Sequence, residues 1–377
     1  MKRKIYLDYA STTPLFPEVA DYMYKILKEE FGNPSSIHHF GRNAKAIVEQ
    51  SRTTIAQYLS ASVGEIFFTS GATESFHTVV YSCIRDLQIE RFISSPTEHH
   101  CTLHTLANIQ KDALADVEYL RVDNKGNIDL DHLIEMLSKS SKKTLLCLMH
   151  GNNEIATMHD IEKIGEICKE NNTLFLCDAA QTFGKYPMDL SKLNISFLTA
   201  SAHKLFAPKG IGLLYINDNN LINAHFLGGS QERNIRAGTE CVHGIAGYAK
   251  AVEIAVSQMD ERKKELLERK NYLIKHLIED LQDIKFNGEL DSEKSMSHIL
   301  SVSFPNTEKS ELLMFNLDIA GICASSGSAC ASGVEQDSHV LQAIGHDPLR
   351  KTIRFSFAPE TTIGDLDYLI ETLKKVL

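Results

Sequence analysis

No stretch of the 377-residue sequence approaches the roughly 18 consecutive apolar residues that a membrane span requires. Lys2, Arg3 and Lys4 look like the start of a signal peptide, but Ile5-Tyr6-Leu7-Asp8-Tyr9 breaks off before an apolar core forms. Basic residues are in deficit: 39 Lys and Arg stand against 49 Asp and Glu, a formal net charge of -10. Nothing is left over to neutralise a phosphate backbone, which argues against nucleic acid as a direct ligand. The eight cysteines show no C-x-x-C pairing and lie mostly in apolar segments such as Leu145-Leu146-Cys147-Leu148, so a reducing, cytoplasmic setting is expected. Internal repeats and low-complexity tracts are absent. With 43% hydrophobic and 23% charged residues, the chain also lacks the signature of disorder.

At about 150 residues per domain, the length suggests two domains. From about residue 65 to 216, short apolar runs alternate with helical stretches: Glu65-Ile66-Phe67-Phe68, Arg91-Phe92-Ile93, Thr144 to Met149, Leu174 to Cys177, Ile195 to Thr199 and Gly212 to Ile216. That alternation predicts an α/β fold with a mostly parallel sheet. Pro17 suits the first turn of a helix with Ala20, Met23, Tyr24 and Leu27 as its apolar stripe and Gly32 at its end. Residues 259–281 predict a charged helix striped by Leu266, Leu267, Leu273, Ile274, Leu277, Ile278 and Leu281, its Lys and Glu residues facing solvent. The βα alternation stops before that helix, which places a boundary near 258 and a smaller α+β unit beyond it.

Five polar clusters directly follow predicted strands: Thr69-Ser70-Gly71-Ala72-Thr73, Glu98-His99, His150 to Glu154, Asp178-Ala179-Ala180-Gln181 and Ser201-Ala202-His203-Lys204. In an open α/β sheet the carboxyl ends of the strands share one ligand-binding rim. Gly71-Ala72-Thr73 opens a helix, where N–H groups and the Thr73 hydroxyl can hold a phosphate; the alternative is an ordinary N-cap by Ser70. Asp178 ends an apolar strand and needs a cationic or hydrogen-bonding partner there, which a protonated pyridine nitrogen would provide; otherwise it caps the next helix. Lys204 also follows an apolar strand, where partial desolvation makes an amine nucleophilic, although a surface lysine is the plainer reading. A phosphate nest, a carboxylate for a ring nitrogen and a strand-end lysine are the three groups that pyridoxal 5'-phosphate requires.

On these residues the sequence resembles the NifS/IscS-like cysteine desulfurases, a branch of the class V aminotransferases. The resemblance runs from Tyr6-Leu7-Asp8-Tyr9 to Thr352-Ile353-Arg354-Phe355-Ser356. Its most specific matches are Thr69 to Ser75, Met149-His150 with Asn152-Asn153-Glu154, Ser201 to Lys204 with Pro208-Lys209-Gly210, and Ser325-Ser326-Gly327-Ser328-Ala329-Cys330. It implies a fold-type-I architecture: a large unit over 14–258 with a mostly parallel seven-stranded sheet flanked by helices, and a small unit of 1–13 and 259–377 carrying a mobile cysteine loop at about 322–336. It also implies that Lys204 forms the Schiff base with the cofactor, Asp178 pairs with the pyridinium, His99 stacks on the ring, and Gln181 and Asn153 contact the ring oxygen or substrate. Ala72, Thr73, Ser201 and His203 would hold the phosphate. Thr239, in Arg236-Ala237-Gly238-Thr239, would be lent to the neighbouring subunit's phosphate, which makes the protein a homodimer. Asn33 and Asn153 would contact substrate, and Arg354 would clamp its carboxylate, although a surface ion pair also accounts for an arginine there.

Cys330 lies among small residues with little to bury, where a thiol can move; an incidental exposed cysteine would look the same. Cys323 reads as core. The reaction implied is removal of sulfur from L-cysteine, giving L-alanine and a persulfide on Cys330, with Lys204 moving protons and His99 as acid-base partner. A sulfur-acceptor protein, such as an iron–sulfur scaffold or a tRNA-thiolation enzyme, would then take the sulfur. Selenocysteine lyase and other fold-type-I activities need the same cofactor groups without Cys330, whereas a non-catalytic sulfur carrier or scaffold that kept the fold would bind no cofactor and be colourless. The neighbours His99, His100, Cys101 and His104 also suggest a metal site, but an extended chain would point adjacent residues to opposite sides, and no metal is expected. Three features depart from the family pattern: Phe76-His77 in place of polar residues, Ala207 in place of a glycine, and the stop at Leu377 without the longer tail of some relatives.

Overall fold

The computed structural model describes residues 4–326 and 338–377. After a short strand β1 (Ile5–Tyr6) come β2 (Ile66–Thr69), β3 (Arg91–Ser94), β4 (Asp116–Tyr119), β5 (Thr144–Met149), β6 (Leu174–Asp178), β7 (Phe197–Ser201) and β8 (Gly212–Ile216). Strands β2 to β8 form one seven-stranded sheet in the order β2-β8-β7-β6-β5-β3-β4. Pairing is parallel from β7 across to β4 and antiparallel where β8 meets β7 and β2. Every residue of β5, β7 and β8 is buried, as strands covered on both faces require.

Several boundaries differ from the sequence reading. Glu65 closes a 3-10 turn, where its carboxylate accepts the Ser62 N–H at 2.8 Å, and the strand starts at Ile66. The strand anticipated at Ile195 begins at Phe197. Strand β4 was not anticipated, because at the sheet edge only its Val117 is buried. The helix Pro17–Glu29 forms with Pro17 in its first turn, but it buries Val19 and Ile26 rather than the expected stripe. Tyr24 and Leu27 are 67% and 57% exposed. Met23 instead meets the helix Val242–Ser257 at Gly247, where a Cβ would lie 2.6 Å from the Met23 sulfur.

Beyond residue 258, the helix Met259–Asp280 and the helix Ile363–Val376 pack against β9 (Lys285–Asn287), β10 (Ile299–Phe304) and, after β11 (Ile322–Cys323), β12 (Lys351–Ser356). The order β12-β10-β9 is antiparallel throughout. Leu266, Leu273 and Leu277 join the core under this sheet, while Ile278 is 60% exposed. Not every charge on the helix is solvated: Lys270 is buried, and its amine donates to Ser295 Oγ at 2.7 Å and the Met296 carbonyl at 2.9 Å. Ile5 and Leu7 belong to this same core although they lie at the other end of the chain. Burial of Leu7 contributes roughly 2 kcal/mol to holding β1 against β11. That anchoring delivers the following loop to the sheet rim, where the Thr13 N–H donates to the His203 carbonyl at 3.0 Å.

Candidate active site

A cavity of about 640 Å³ opens at the carboxyl ends of β5, β6 and β7, beside the start of the helix Ala72–Leu87. Ten of the anticipated residues line it: Ala72, Thr73, His99, Asn153, Asp178, Gln181, Ser201, His203, Lys204 and Arg354.

The helix Ala72–Leu87 starts from Gly71 with no side chain capping it, so Ser70 does not fill the capping role considered above. Instead Glu74 accepts the Ser70 N–H at 3.0 Å and pairs with Arg236 at 2.8 Å. The uncapped N–H groups and the positive end of the helix dipole remain available to an anion. Gly212 makes room for this turn: a Cβ there would sit 2.5 Å from the Gly71 backbone. Phe76 packs into the core and His77 edges onto Tyr81, so neither departure from the family pattern reaches the cavity wall; Ala207 is likewise buried.

Asp178 ends β6, and burial raises its carboxyl above the ordinary range, offset in part by the Ala180 N–H at 2.8 Å and by nearby Lys204. A cationic ring nitrogen would relieve that burial penalty. The Lys204 amine donates to the Ala10 and Ser11 carbonyls at 2.6 and 2.7 Å, which fixes a lysine inside the cavity instead of on the surface. Gln181 Nε2 also donates to Ala10, leaving Oε1 buried with no partner among the described residues. His203 Nδ1 lies 3.1 Å from Thr12 Oγ1. Burial, with Lys204, Lys209 and Lys185 adding to it, lowers the His203 ring to about 4.

His99 caps the helix His100–Lys111, its Nδ1 accepting the Cys101 N–H at 3.1 Å. Burial first, then Lys204, His339 and His104, push it down to about 4, so the ring is neutral at pH 7 with its proton on Nε2. His100 and His104 sit one helical turn apart with ring centroids 5.0 Å apart, so the segment is helical rather than extended as assumed above. Among the described residues, no group of three or more His, Cys, Asp or Glu is arranged to hold a metal ion.

Arg354, on β12, is 2% exposed, which removes the surface-pair alternative. Its guanidinium donates to the Asn153 carbonyl at 2.8 Å, Asp8 at 2.9 Å and Ser11 Oγ at 2.7 Å, while Nε is buried with no partner among the described residues.

Asn33 lies away from the cavity, exposed, with its side chain accepting the Ser35 N–H at 2.9 Å. Thr239 lines a separate pocket of about 200 Å³ that shares Ser70 and Gly210 with the main cavity. Its loop is fastened by a buried pair, Arg52 to Glu232 at 2.7 and 2.9 Å. Cys330 lies outside the described residues. Cys323 is exposed, contrary to its reading as core, because it sits on the two-stranded β1–β11 ribbon.

Sequence reasoning missed the loop Ala10-Ser11-Thr12, which walls the cavity and holds Lys204. It also missed His339, whose Nε2 lies 2.7 Å from the Glu98 carbonyl and whose ring is 4.5 Å from that of His100. The polar run Ser11-Thr12-Thr13 after an apolar strand was the available signal for the loop; nothing in sequence singles out His339.

A mixed sheet flanked by helices, with a strand-end lysine, a buried carboxylate and an open helix start on one rim, defines a fold-type-I α/β architecture. The aminotransferase class-V family model matches residues 5–369, and the chain belongs to that family. It is 40% identical to a cysteine desulfurase IscS of Dictyoglomus turgidum, over 100% of this chain and 95% of the relative. A solved NifS-like protein superposes with a TM-score of 0.91 at 33% identity, covering 99% of both chains. SspA, solved in complex with cysteine, superposes with a TM-score of 0.82 at 30% identity, covering 95% of this chain and 100% of SspA.

Proposed function

We propose that the chain is a cysteine desulfurase that holds pyridoxal 5'-phosphate in the rim cavity and removes sulfur from L-cysteine, leaving L-alanine and a persulfide on Cys330. The observation that carries this reading is the shared cavity of Lys204, Asp178 and the uncapped helix start at Gly71. The donor set suits the cofactor's three parts: the amine of Lys204 for its aldehyde carbon, Asp178 for its ring nitrogen, and Ala72, Thr73, Ser201 and His203 for its phosphate. When bound, pyridoxal phosphate supplies an electron-withdrawing ring that makes the substrate's α-proton acidic.

The remaining chemistry falls to the chain. Arg354 would receive the substrate carboxylate at its guanidinium, the carboxylate taking over donors that Asp8, Ser11 and the Asn153 carbonyl now occupy. Lys204, whose amine is held in the cavity by the Ala10 and Ser11 carbonyls, would move protons at the substrate's α-carbon. His99, which lines the cavity as a neutral ring with its proton on Nε2, would stack on the cofactor ring and donate that proton. The Cys330 thiolate attacks the substrate sulfur; the S–S bond forms as the carbon–sulfur bond breaks, and that electron pair stays with the carbon skeleton, which gains a proton to leave as L-alanine.

Residues 14–258 then act as the cofactor-binding unit, and residues 1–13 with 259–377 bring Arg354 and Cys330 to it. The protein is a homodimer in which Thr239 completes the neighbouring subunit's phosphate site, and an acceptor protein in the reducing cytoplasm takes the sulfur. Alanine release from L-cysteine by wild type and Cys330→Ala tests the reading. Loss of release in the variant is expected; unchanged release overturns it, and a colourless wild type after incubation with pyridoxal phosphate overturns the cofactor assignment.

A further inference from the structure

The guanidinium of Arg354 already meets a carboxylate of this chain. Nη2 donates to Asp8 Oδ1 at 2.9 Å and to Ser11 Oγ at 2.7 Å, which uses both of its hydrogens. The Ser11 hydroxyl donates in turn to Asp8 Oδ1 at 2.7 Å, so the three side chains close a small ring. Nη1 gives a hydrogen to the Asn153 carbonyl at 2.8 Å. A carboxylate can take a guanidinium in a two-bond fork either across Nη1 and Nη2 or across Nε and Nη2. Both forks use Nη2. An incoming carboxylate therefore grips Arg354 in this way only by displacing Asp8 or Ser11.

Charge decides which of the two gives way. The Arg354 side chain is 3% exposed, and a buried cation without a counter-charge is costly, so in the empty site Asp8 supplies one. A second carboxylate at the same nitrogen would crowd two anions onto one cation, and like charges at that range repel. The neutral Ser11 hydroxyl can turn and stay, whereas the Asp8 carboxylate has to leave. Its backbone is fixed on both sides. The Leu7 N–H donates to the Cys323 carbonyl and the Ser356 N–H donates to the Leu7 carbonyl, each at 2.8 Å. The Asp8 side chain, 19% exposed, keeps a route to solvent. Release thus takes a side-chain rotation and no change of fold.

We propose that Asp8 is a specificity-determining residue of the carboxylate site: it occupies Arg354 in the empty protein as a stand-in for the ligand's carboxylate, and each ligand binds by replacing it. The inference rests on the reading above in one respect, that Arg354 is the group that meets the substrate. A ligand with a free α-carboxylate returns to Arg354 the charge that Asp8 withdraws. A neutral amide does not, and it meets an arginine that is already satisfied. The exchange also sets affinity, because apparent binding is weakened by the fraction of protein in which Asp8 still occupies Arg354.

The test uses protein loaded with pyridoxal phosphate and follows the cofactor's visible absorbance as L-alanine or L-alaninamide is added. Asp8→Asn keeps the shape of the side chain and removes its charge. The variant should bind L-alanine roughly three- to tenfold more tightly than wild type, with L-alaninamide little changed. Equal or weaker binding of L-alanine in the variant, or the same gain for both ligands, overturns the inference. If the variant does not fold, a crystal structure of wild type with L-alanine decides the matter. Arg354 Nη2 should then bond to the ligand carboxylate and no longer to Asp8; an Arg354–Asp8 bond kept in that complex overturns the inference. These measurements need no turnover. A wild type that binds L-alanine but releases none from L-cysteine overturns the desulfurase reading and leaves Asp8 to be judged on the binding alone.

Discussion

Arg354 Nη2 lies 2.9 Å from Asp8 Oδ1 and 2.7 Å from Ser11 Oγ, so the residue proposed to read the substrate is held by the N-terminal loop that also holds Lys204. One short segment thus ties the carboxylate-binding group to the reacting amine. Arg354→Lys keeps the charge but loses the fork, and a charge-assisted bidentate contact is worth roughly 1.5 to 3 kcal/mol. The KM for L-cysteine should rise on the order of 10- to 100-fold with a smaller change in kcat, measured by alanine release. A fall in kcat at constant KM would contradict this role.

Asp178 gives a pH dependence with a definite sign. Because its folded-state pKa is raised, the folded cofactor-free protein binds more protons than the unfolded chain between the ordinary carboxylate value and the raised one. Stability is lost as pH rises through that window. Asp178→Asn removes this cost, so the cofactor-free variant should melt above wild type at pH 7, with the gap closing as pH falls, while its retention of pyridoxal phosphate drops. Differential scanning fluorimetry with and without cofactor checks both halves.

His150 and His159 give the opposite sign. Both are buried, and burial lowers His150 to about 3 and His159 to about 4, while the unfolded chain titrates near 6.5. Between pH 6.5 and 4 the unfolded state binds more protons, so stability is full above the window and is lost as pH falls into it. Cofactor-free protein should melt progressively lower from pH 7 to 5, and His159→Leu should flatten that slope. An unchanged slope would remove His159 from the account.

Gly212 tests the phosphate end from outside the cavity. A Cβ at this position would lie 2.5 Å from Gly71 backbone atoms, far inside contact distance. Gly212→Ala should push the turn at Gly71 outward and lower the affinity for pyridoxal phosphate by an order of magnitude or more, seen in equilibrium dialysis, with free inorganic phosphate competing less well.

The buried strands were legible because their chemistry is uniform. Thr144 to Met149 appears in the structure with the bounds read from sequence, every residue buried. Strand β4 was not legible, since an edge strand with one buried residue carries no apolar run. The helix Pro17–Glu29 was found, but its stripe was set on the wrong face: Tyr24 and Leu27 match the period as well as Val19 and Ile26 do, and only the packed helix Val242–Ser257 decides between them. Lys270 hid among charged neighbours because sequence does not show which one turns inward. At the site, Lys204, Asp178 and Thr73 were legible as polar residues at the ends of apolar strands. Asp8, Ala10 and Ser11 act through two carbonyls, one carboxylate and one hydroxyl, and their place depends on β1 pairing with a strand more than 300 residues later.

The central claim concerns where the sulfur goes. Protein loaded with pyridoxal phosphate, treated with L-cysteine, freed of small molecules and digested without reductant, should show by mass spectrometry one extra sulfur on the peptide carrying Cys330, accompanied by L-alanine. Alanine release with the extra sulfur on Cys323 or Cys101, or with no sulfur on any cysteine, would contradict it.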